Sequence, residues 1–306
     1  MPLSPNLRGA AFMVASMVGF TISDSMTKYL SESMNIAQVM LVRGLFATTF
    51  IALLAWSRGA LATPSLMLHP MVAVRVAGEA SATVAYFIAL SHLPIANVSA
   101  VQQALPLAVT MGAALLFGEY VGPRRWLAIA AGLAGVLIIV RPGFDGFNAY
   151  SLLVLLCVVL CAIRDLATKQ VPDSIPTLLV SVATSIVVTL VGAAMIQPMG
   201  GWSPVSAKHL ALLVSGAVLL LIGYQFIIMA MRIGDISFIA PFRYTALLCA
   251  ILLGVLVFGD FPDMPMIIGA TIIVCSGIYT LYRERIVGRG RAAAESTGPA
   301  MAPDGI

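Results

Sequence analysis

Long apolar runs, each close to the length of a membrane crossing, alternate with short polar connections along almost the whole chain. A hydrocarbon core about 30 Å thick takes about 20 helical residues. Ten segments meet or approach that length: 7–30, 36–57, 71–92, 95–117, 124–140, 150–171, 176–196, 208–231, 235–258 and 264–282. The connections between them hold helix breakers, among them Pro94, Gly122-Pro123, Pro142-Gly143, Pro172, Pro198, Gly234 and Pro262. This pattern predicts an all-α membrane protein with ten transmembrane helices. Arg8 followed by an apolar stretch has the outline of a signal peptide. The run continues through Asp24 and Lys28, however, and its end resembles an internal segment, so it is read as the first transmembrane helix.

That internal likeness is a repeat. Asp24-Ser25-Met26-Thr27-Lys28 returns 141 residues later as Asp165-Leu166-Ala167-Thr168-Lys169. Leu116-Phe117-Gly118-Glu119 returns at the same offset as Val257-Phe258-Gly259-Asp260, and Ala89-Leu90 falls opposite Ala230-Met231. With a one-residue adjustment, Gly135 meets Gly277. The chain therefore divides into two five-helix halves, 1–141 and 142–285. A tail follows at 286–306, whose Ala, Gly, Pro and Arg content predicts disorder. Five is odd, so the second half inserts upside down, and the architecture is ten transmembrane helices as two inverted five-helix repeats. Inverted repeats place a substrate site near the midplane between the halves, which are expected to rock about it.

Composition agrees. The chain is 60% hydrophobic and 10% charged, with a mean hydropathy of +1.01, where soluble domains carry about 25% charged residues. The net charge of +4 points to topology and not to nucleic acid. Arg8, Arg58, Arg124, Arg125, Lys169, Arg232, Arg283, Arg285, Arg289 and Arg291 fall on one side, with Lys28, Arg141, Lys208 and the acids Asp145, Asp260 and Asp263 on the other. Both termini are thus expected in the cytoplasm. A homodimer is compatible with such a chain, whose sequence leaves the oligomeric state open. Cys157, Cys161, Cys249 and Cys275 lie in apolar runs without metal-ligand spacing, so they read as small packing residues, with no disulfide, metal or cofactor.

Polar residues inside the spans are costly and mark function or structural pairing. Asp24 and Lys28 share a helical face, as do Asp165 and Lys169. Each pair either neutralises itself near a helix end or turns its carboxylate to a central cavity, toward Arg43 or Arg243. Arg75, Glu79, Thr83 and Tyr86 form one stripe on the third segment. Glu79 there is either an ion-pair partner of Arg75 or a proton-coupling or substrate-binding carboxyl. The fourth segment aligns Ser99, Gln103, Pro106 and Thr110, and the ninth aligns Ser237, Pro241 and Tyr244. Each proline frees a backbone carbonyl, tolerable where it lines a cavity. The repeat sets Gln102 opposite Arg243 and Gln103 opposite Tyr244, and Tyr224 adds an aromatic face. The candidate substrate-binding residues are therefore Asp24, Glu79, Tyr86, Gln103, Tyr224, Asp165, Arg243 and Tyr244. The fifth and tenth segments are almost wholly apolar or small and are expected at the periphery.

These residues carry a resemblance. Phe117-Gly118-Glu119 with Gly135, and Phe258-Gly259-Asp260 with Gly277, resemble the drug/metabolite transporter superfamily, in its ten-helix branch with two EamA-type repeats. Asp260 stands where Glu is commoner. The stretches 24–30 with Gln38-Val39-Met40-Leu41-Val42-Arg43-Gly44, and Ala240-Pro241-Phe242-Arg243-Tyr244-Thr245 with Phe258-Gly259-Asp260-Phe261-Pro262-Asp263, are similar to a bacterial branch that includes riboflavin importers. S-adenosylmethionine uptake carriers share a similar pattern. The resemblance implies a secondary transporter working by alternating access in the bacterial inner membrane, with riboflavin uptake as the first expectation. S-adenosylmethionine uptake, or export of amino acids and related metabolites, is the alternative. The near balance of membrane acids and bases favours a neutral, flat, hydrogen-bonding substrate over a cation, which would want surplus carboxylate or an aromatic cage. No phosphate-cradling loop is present, so direct ATP drive is not expected. His69, His92 and His209 lie at segment ends without a paired nucleophile, and no ring of like charge suggests a channel filter. An enzyme or a channel is not expected.

Overall fold

The computed structural model describes residues 4–119, 121–143, 147–172, 174–233 and 236–287, with the backbone alone for 236, 237 and 284–287. Asp145, the side chain of Ser237 and the tail from 288 onward lie outside the described residues. Ten helical stretches are long and apolar enough to cross a membrane, and the described residues contain no strand. They are α1 (Pro5–Ser31), α2 (Ile36–Ser57), α3 (Pro70–His92), α4 (Ile95–Phe117), α5 (Pro123–Val140), α6 (Tyr150–Thr168), α7 (Thr177–Met195), α8 (Ala207–Ile233), α9 (Ala240–Phe258) and α10 (Met264–Val287). Their starts follow local chemistry. Proline opens α1, α3 and α5, where its missing N–H costs nothing. The Asn35 side chain caps α2 by accepting the Ala37 N–H at 2.9 Å.

α4 is broken within its span, and α9 opens on an irregular turn that follows the short helix Ile236–Ile239. In α4 the backbone at Ala100–Gln103 and Val101–Ala104 tightens to i+3 hydrogen bonds before a new helix starts at Leu105, just ahead of Pro106. In α9 a 3₁₀ stretch, Ala240–Tyr244, contains Pro241. Proline removes a donor and pushes its ring against the preceding turn, which accounts for both breaks. α4 and α9 also end alike. Gly118 (φ +67°) and Gly259 (φ +70°) adopt the left-handed conformation that favours glycine, which is why the apolar-Gly-acid motif needs its glycine twice.

The two repeats interleave. α1 packs on α8 and its repeat mate α6 packs on α3, so each of these contacts joins the halves. α2 pairs with α7, α4 with α9 and α5 with α10 across the pseudo-two-fold axis. Thr48 and Thr189, mates at the 141-residue offset, meet hydroxyl to hydroxyl at 3.1 Å on that axis. Neither half is therefore a lobe of its own. Most helices bury their main face against a helix of the opposite repeat. α5 and α10 pack behind α4 and α9, as their apolar composition predicted.

The repeated motifs also cross between halves. Lys28 does not pair with Asp24. Its Nζ donates to the carbonyls of Leu93 (2.5 Å) and Leu90 (3.3 Å) at the end of α3, and lies over the Phe258 ring within electrostatic reach of Asp260. Its mate Lys169 lies 3.5 Å from Glu119. Each Asp-x-x-Thr-Lys lysine thus faces the apolar-Gly-acid end of the other repeat.

Between spans, Arg141 pairs with Asp263, whose Oδ1 also accepts the Met266 N–H at 3.0 Å. Partial burial raises the Asp263 carboxyl, but the Arg141 hydrogen bond and the Met266 N–H outweigh it and hold the group below its ordinary value of 3.8. A depressed carboxylate stabilises the fold above its unfolded pKa, and that stabilisation is lost as pH falls through the folded one. Thermal unfolding followed against pH should therefore show wild type above Asp263→Asn at neutral pH. The two curves should converge once the pH drops below 3.8. Parallel curves over that range would remove Asp263 as a source of acid sensitivity.

Candidate functional site

Eight helices, all but α5 and α10, enclose a central cavity of about 340 Å³. That volume lies within the range of small-molecule sites. Both helix breaks open onto it: Gln102 and Gln103 from α4, and Arg243 from α9, line the wall. Irregular backbone at membrane depth is tolerated where it faces such a space.

The polar wall is organised around two carboxylates. Asp24 on α1 accepts a hydrogen bond from the Tyr86 hydroxyl at 2.8 Å and lies 3.6 Å from Arg43 of α2. Arg43 also donates to Thr27 at 2.8 Å, and its guanidinium lies 5.6 Å from the Phe87 ring centroid. Glu79 on α3 pairs with Arg164 of α6 at 2.7 Å. Arg164 is a bridge, because its Nε also donates to Asp165 Oδ1 at 2.7 Å. Arg75, the other arginine considered for Glu79, donates to Thr184 at 2.7 Å. Three arginines, Arg43, Arg164 and Arg243, and two carboxylates, Asp24 and Glu79, line the cavity. Aromatic rings complete it. Phe20 and Tyr224 meet edge to face at 5.0 Å, and Tyr86 and Phe87 lie 6.0 Å apart.

Of the candidate residues, Asp24, Glu79, Tyr86, Gln103, Tyr224 and Arg243 are brought together around this space, and Asp165 and Tyr244 are not. Asp165 is buried behind Arg164, with its second oxygen left without a hydrogen-bond partner. It holds the cavity arginine in place without itself facing the space. Tyr244 turns outward against α10, where a methyl group at Gly277 would overlap its hydroxyl. The ring thus fills a notch that only glycine leaves, and the hydroxyl is buried without a partner. Gln102, Arg43 and Arg164 line the cavity although they were not among the candidates. The signal for Gln102 was its placement opposite Arg243 in the repeat. Cys157 and Cys161, expected as packing residues, also line the wall. The described residues hold no group of three or more His, Cys, Asp or Glu arranged for a metal.

Known proteins share this architecture. A solved crystal structure superposes with a TM-score of 0.58 at 20% identity, over 89% of this chain and 98% of its own, which shows a common fold. An S-adenosylmethionine uptake transporter of Rickettsia prowazekii is 26% identical, over 92% of this chain and 95% of its own. A riboflavin transporter of Rhizobium johnstonii is 27% identical, over 90% of this chain and 91% of its own. A riboflavin transporter of Brucella anthropi is 30% identical, over 74% and 80%. The EamA-like transporter family matches residues 7–141 and again 148–282, one match for each repeat of the interleaved fold. The chain, with its ten candidate spans and central polar cavity, is a member of the EamA-like transporter family, the drug/metabolite transporters with two repeats.

Proposed function

We propose that this protein takes up riboflavin across the bacterial inner membrane as a secondary carrier, with both termini in the cytoplasm and the repeat boundary between residues 141 and 142. The observation that carries the reading is the pairing of the cavity's charge: each lining carboxylate already has a guanidinium, Asp24 that of Arg43 at 3.6 Å and Glu79 that of Arg164 at 2.7 Å. Such a lining disfavours a cationic substrate, whose sulfonium or ammonium would have to displace a guanidinium from Asp24 or Glu79. It suits a flat, uncharged ring system with carbonyl acceptors and ring N–H donors. Phe20, Tyr86, Phe87 and Tyr224 offer faces or edges to such a ring. Gln102, Gln103, Arg243 and Asp24 offer donors and acceptors to its polar rim. Similarity to the riboflavin transporters of Rhizobium johnstonii and Brucella anthropi supports the same choice. Alternating access would proceed by movement of units that each contain helices of both repeats.

S-adenosylmethionine is the second reading, favoured by similarity to the Rickettsia prowazekii carrier over nearly the whole chain. The two separate in one experiment. Cells unable to make or import riboflavin are given this protein, and uptake of labelled riboflavin is measured with excess unlabelled riboflavin or S-adenosylmethionine. Growth at low riboflavin, with saturable uptake blocked by riboflavin alone, is expected. A failure to rescue, with the protein present in the membrane, would sink the riboflavin reading. Uptake of labelled S-adenosylmethionine by the same cells would then establish the second.

A further inference from the structure

Two thiols stand in the cavity wall. Cys157 and Cys161 lie one turn apart on α6, with their sulfurs 4.0 Å from each other. Both are reduced, both are buried from the outer surface, and both line the central space. Gln102 of α4 donates to the Cys157 sulfur at 3.3 Å across the cavity's edge. Residues four apart on a helix share a face, so both S–H groups address the same volume. The remaining thiols do not line the cavity: Cys249 lies on α9 and Cys275 on the exposed side of α10.

Soft thiolate pairs select soft, thiophilic centres. A trivalent organoarsenical needs two sulfurs within reach of one arsenic and a space for its organic group. The Cys157–Cys161 pair provides the first, and the aromatic-walled cavity provides the second. We propose that Cys157 and Cys161 form a dithiol binding site for trivalent organoarsenicals in the wall of the transport cavity. In water the probe phenylarsine oxide carries two hydroxyls on arsenic. The two S–H bonds and two As–O bonds break, and two As–S bonds form. The thiol protons leave with the hydroxyls as two waters, and arsenic stays trivalent, so neither oxidant nor reductant is needed. The closed dithioarsenite places an aryl group where substrate must pass and blocks transport. The site rests on the cavity's geometry and not on which metabolite is carried.

The test uses the full-length protein purified in detergent and phenylarsine oxide. Intact-mass spectrometry should show one adduct per chain that survives a monothiol and is removed by 2,3-dimercaptopropanol. Cys157→Ser and Cys161→Ser should each lose the monothiol-resistant adduct, and the double variant Cys249→Ser/Cys275→Ser should keep it. Elution of each variant by size exclusion checks its folding, and either single serine variant suffices if the other aggregates. An adduct that persists in both single variants, or that forms only after denaturation, overturns the site. The readout needs no transported substrate, so failure of the riboflavin assay leaves it standing. Conversely, a wild-type protein that transports riboflavin but takes up no monothiol-resistant arsenical refutes this inference alone.

Discussion

Arg164→Met is expected to destabilise this protein by about 3–5 kcal/mol, the cost of breaking a buried ion pair by removing one partner. Arg164 joins Glu79 and Asp165 at 2.7 Å each, and its side chain is almost fully buried. Methionine would keep much of the volume and leave two carboxylates without a counter-charge in a low-dielectric interior. Asp165 suffers most, since its second oxygen already has no hydrogen-bond partner. Equilibrium unfolding in detergent should show the loss. The compensating variant Arg164→Met/Glu79→Gln/Asp165→Asn should recover most of it, because neutralising all three groups removes the uncompensated charge. That variant should still fail to transport, since the cavity would lose Arg164 and Glu79 together. A single variant within about 1 kcal/mol of wild type, the worth of an exposed pair, would mean that water reaches the cluster and screens it.

Much of this was legible in the chain. Ten apolar segments and one constant offset were enough to reach two inverted repeats, because span length and odd helix number are properties of each segment alone. Which helix touches which was not, since periodicity says how much of a face is buried and not by whom. α1 meets α8, and α3 meets α6, through close approach at positions such as Gly78, where an added methyl would stand 3.3 Å from the Arg164 side chain. The site shows the same division. Asp24, Glu79, Tyr86 and Tyr224 lie on regular helix, and the expected faces led to the cavity, while Gln103 reaches it from the break in α4. Asp165 did not follow its repeat mate because the symmetry fails one residue earlier. Ser23, which donates to the Gly216 carbonyl, stands where the second repeat has Arg164. Asp24, with no arginine adjacent in sequence, meets Tyr86 and Arg43 from other helices, whereas Asp165 is held by the side chain beside it.

The neighbours Arg243 and Tyr244 make the sharpest case, and a functional prediction separates them. A 3₁₀ turn advances each residue by about 20° more than an α-helix does. Across Ala240–Tyr244 that drift moves the cavity-facing position off Tyr244 and onto Arg243. Arg243→Gln should then lower transport efficiency roughly 10- to 150-fold. That is the equivalent of a charge-assisted hydrogen bond of about 1.5–3 kcal/mol at tenfold per 1.4 kcal/mol. The loss should fall on the apparent KM for substrate, with membrane abundance unchanged. Arg243→Lys should recover only part of it, because an ammonium keeps the charge but not the planar, forked donor set. Tyr244→Phe should transport like wild type and be at least as stable, since it removes a buried hydroxyl that has no partner and leaves the ring in the Gly277 notch. The opposite outcome, an unaltered Arg243→Gln beside a Tyr244→Phe that no longer transports, would mean that Tyr244 swings into the path in another conformation. The cavity would then owe its specificity to a register of α9 different from the one seen in this structure.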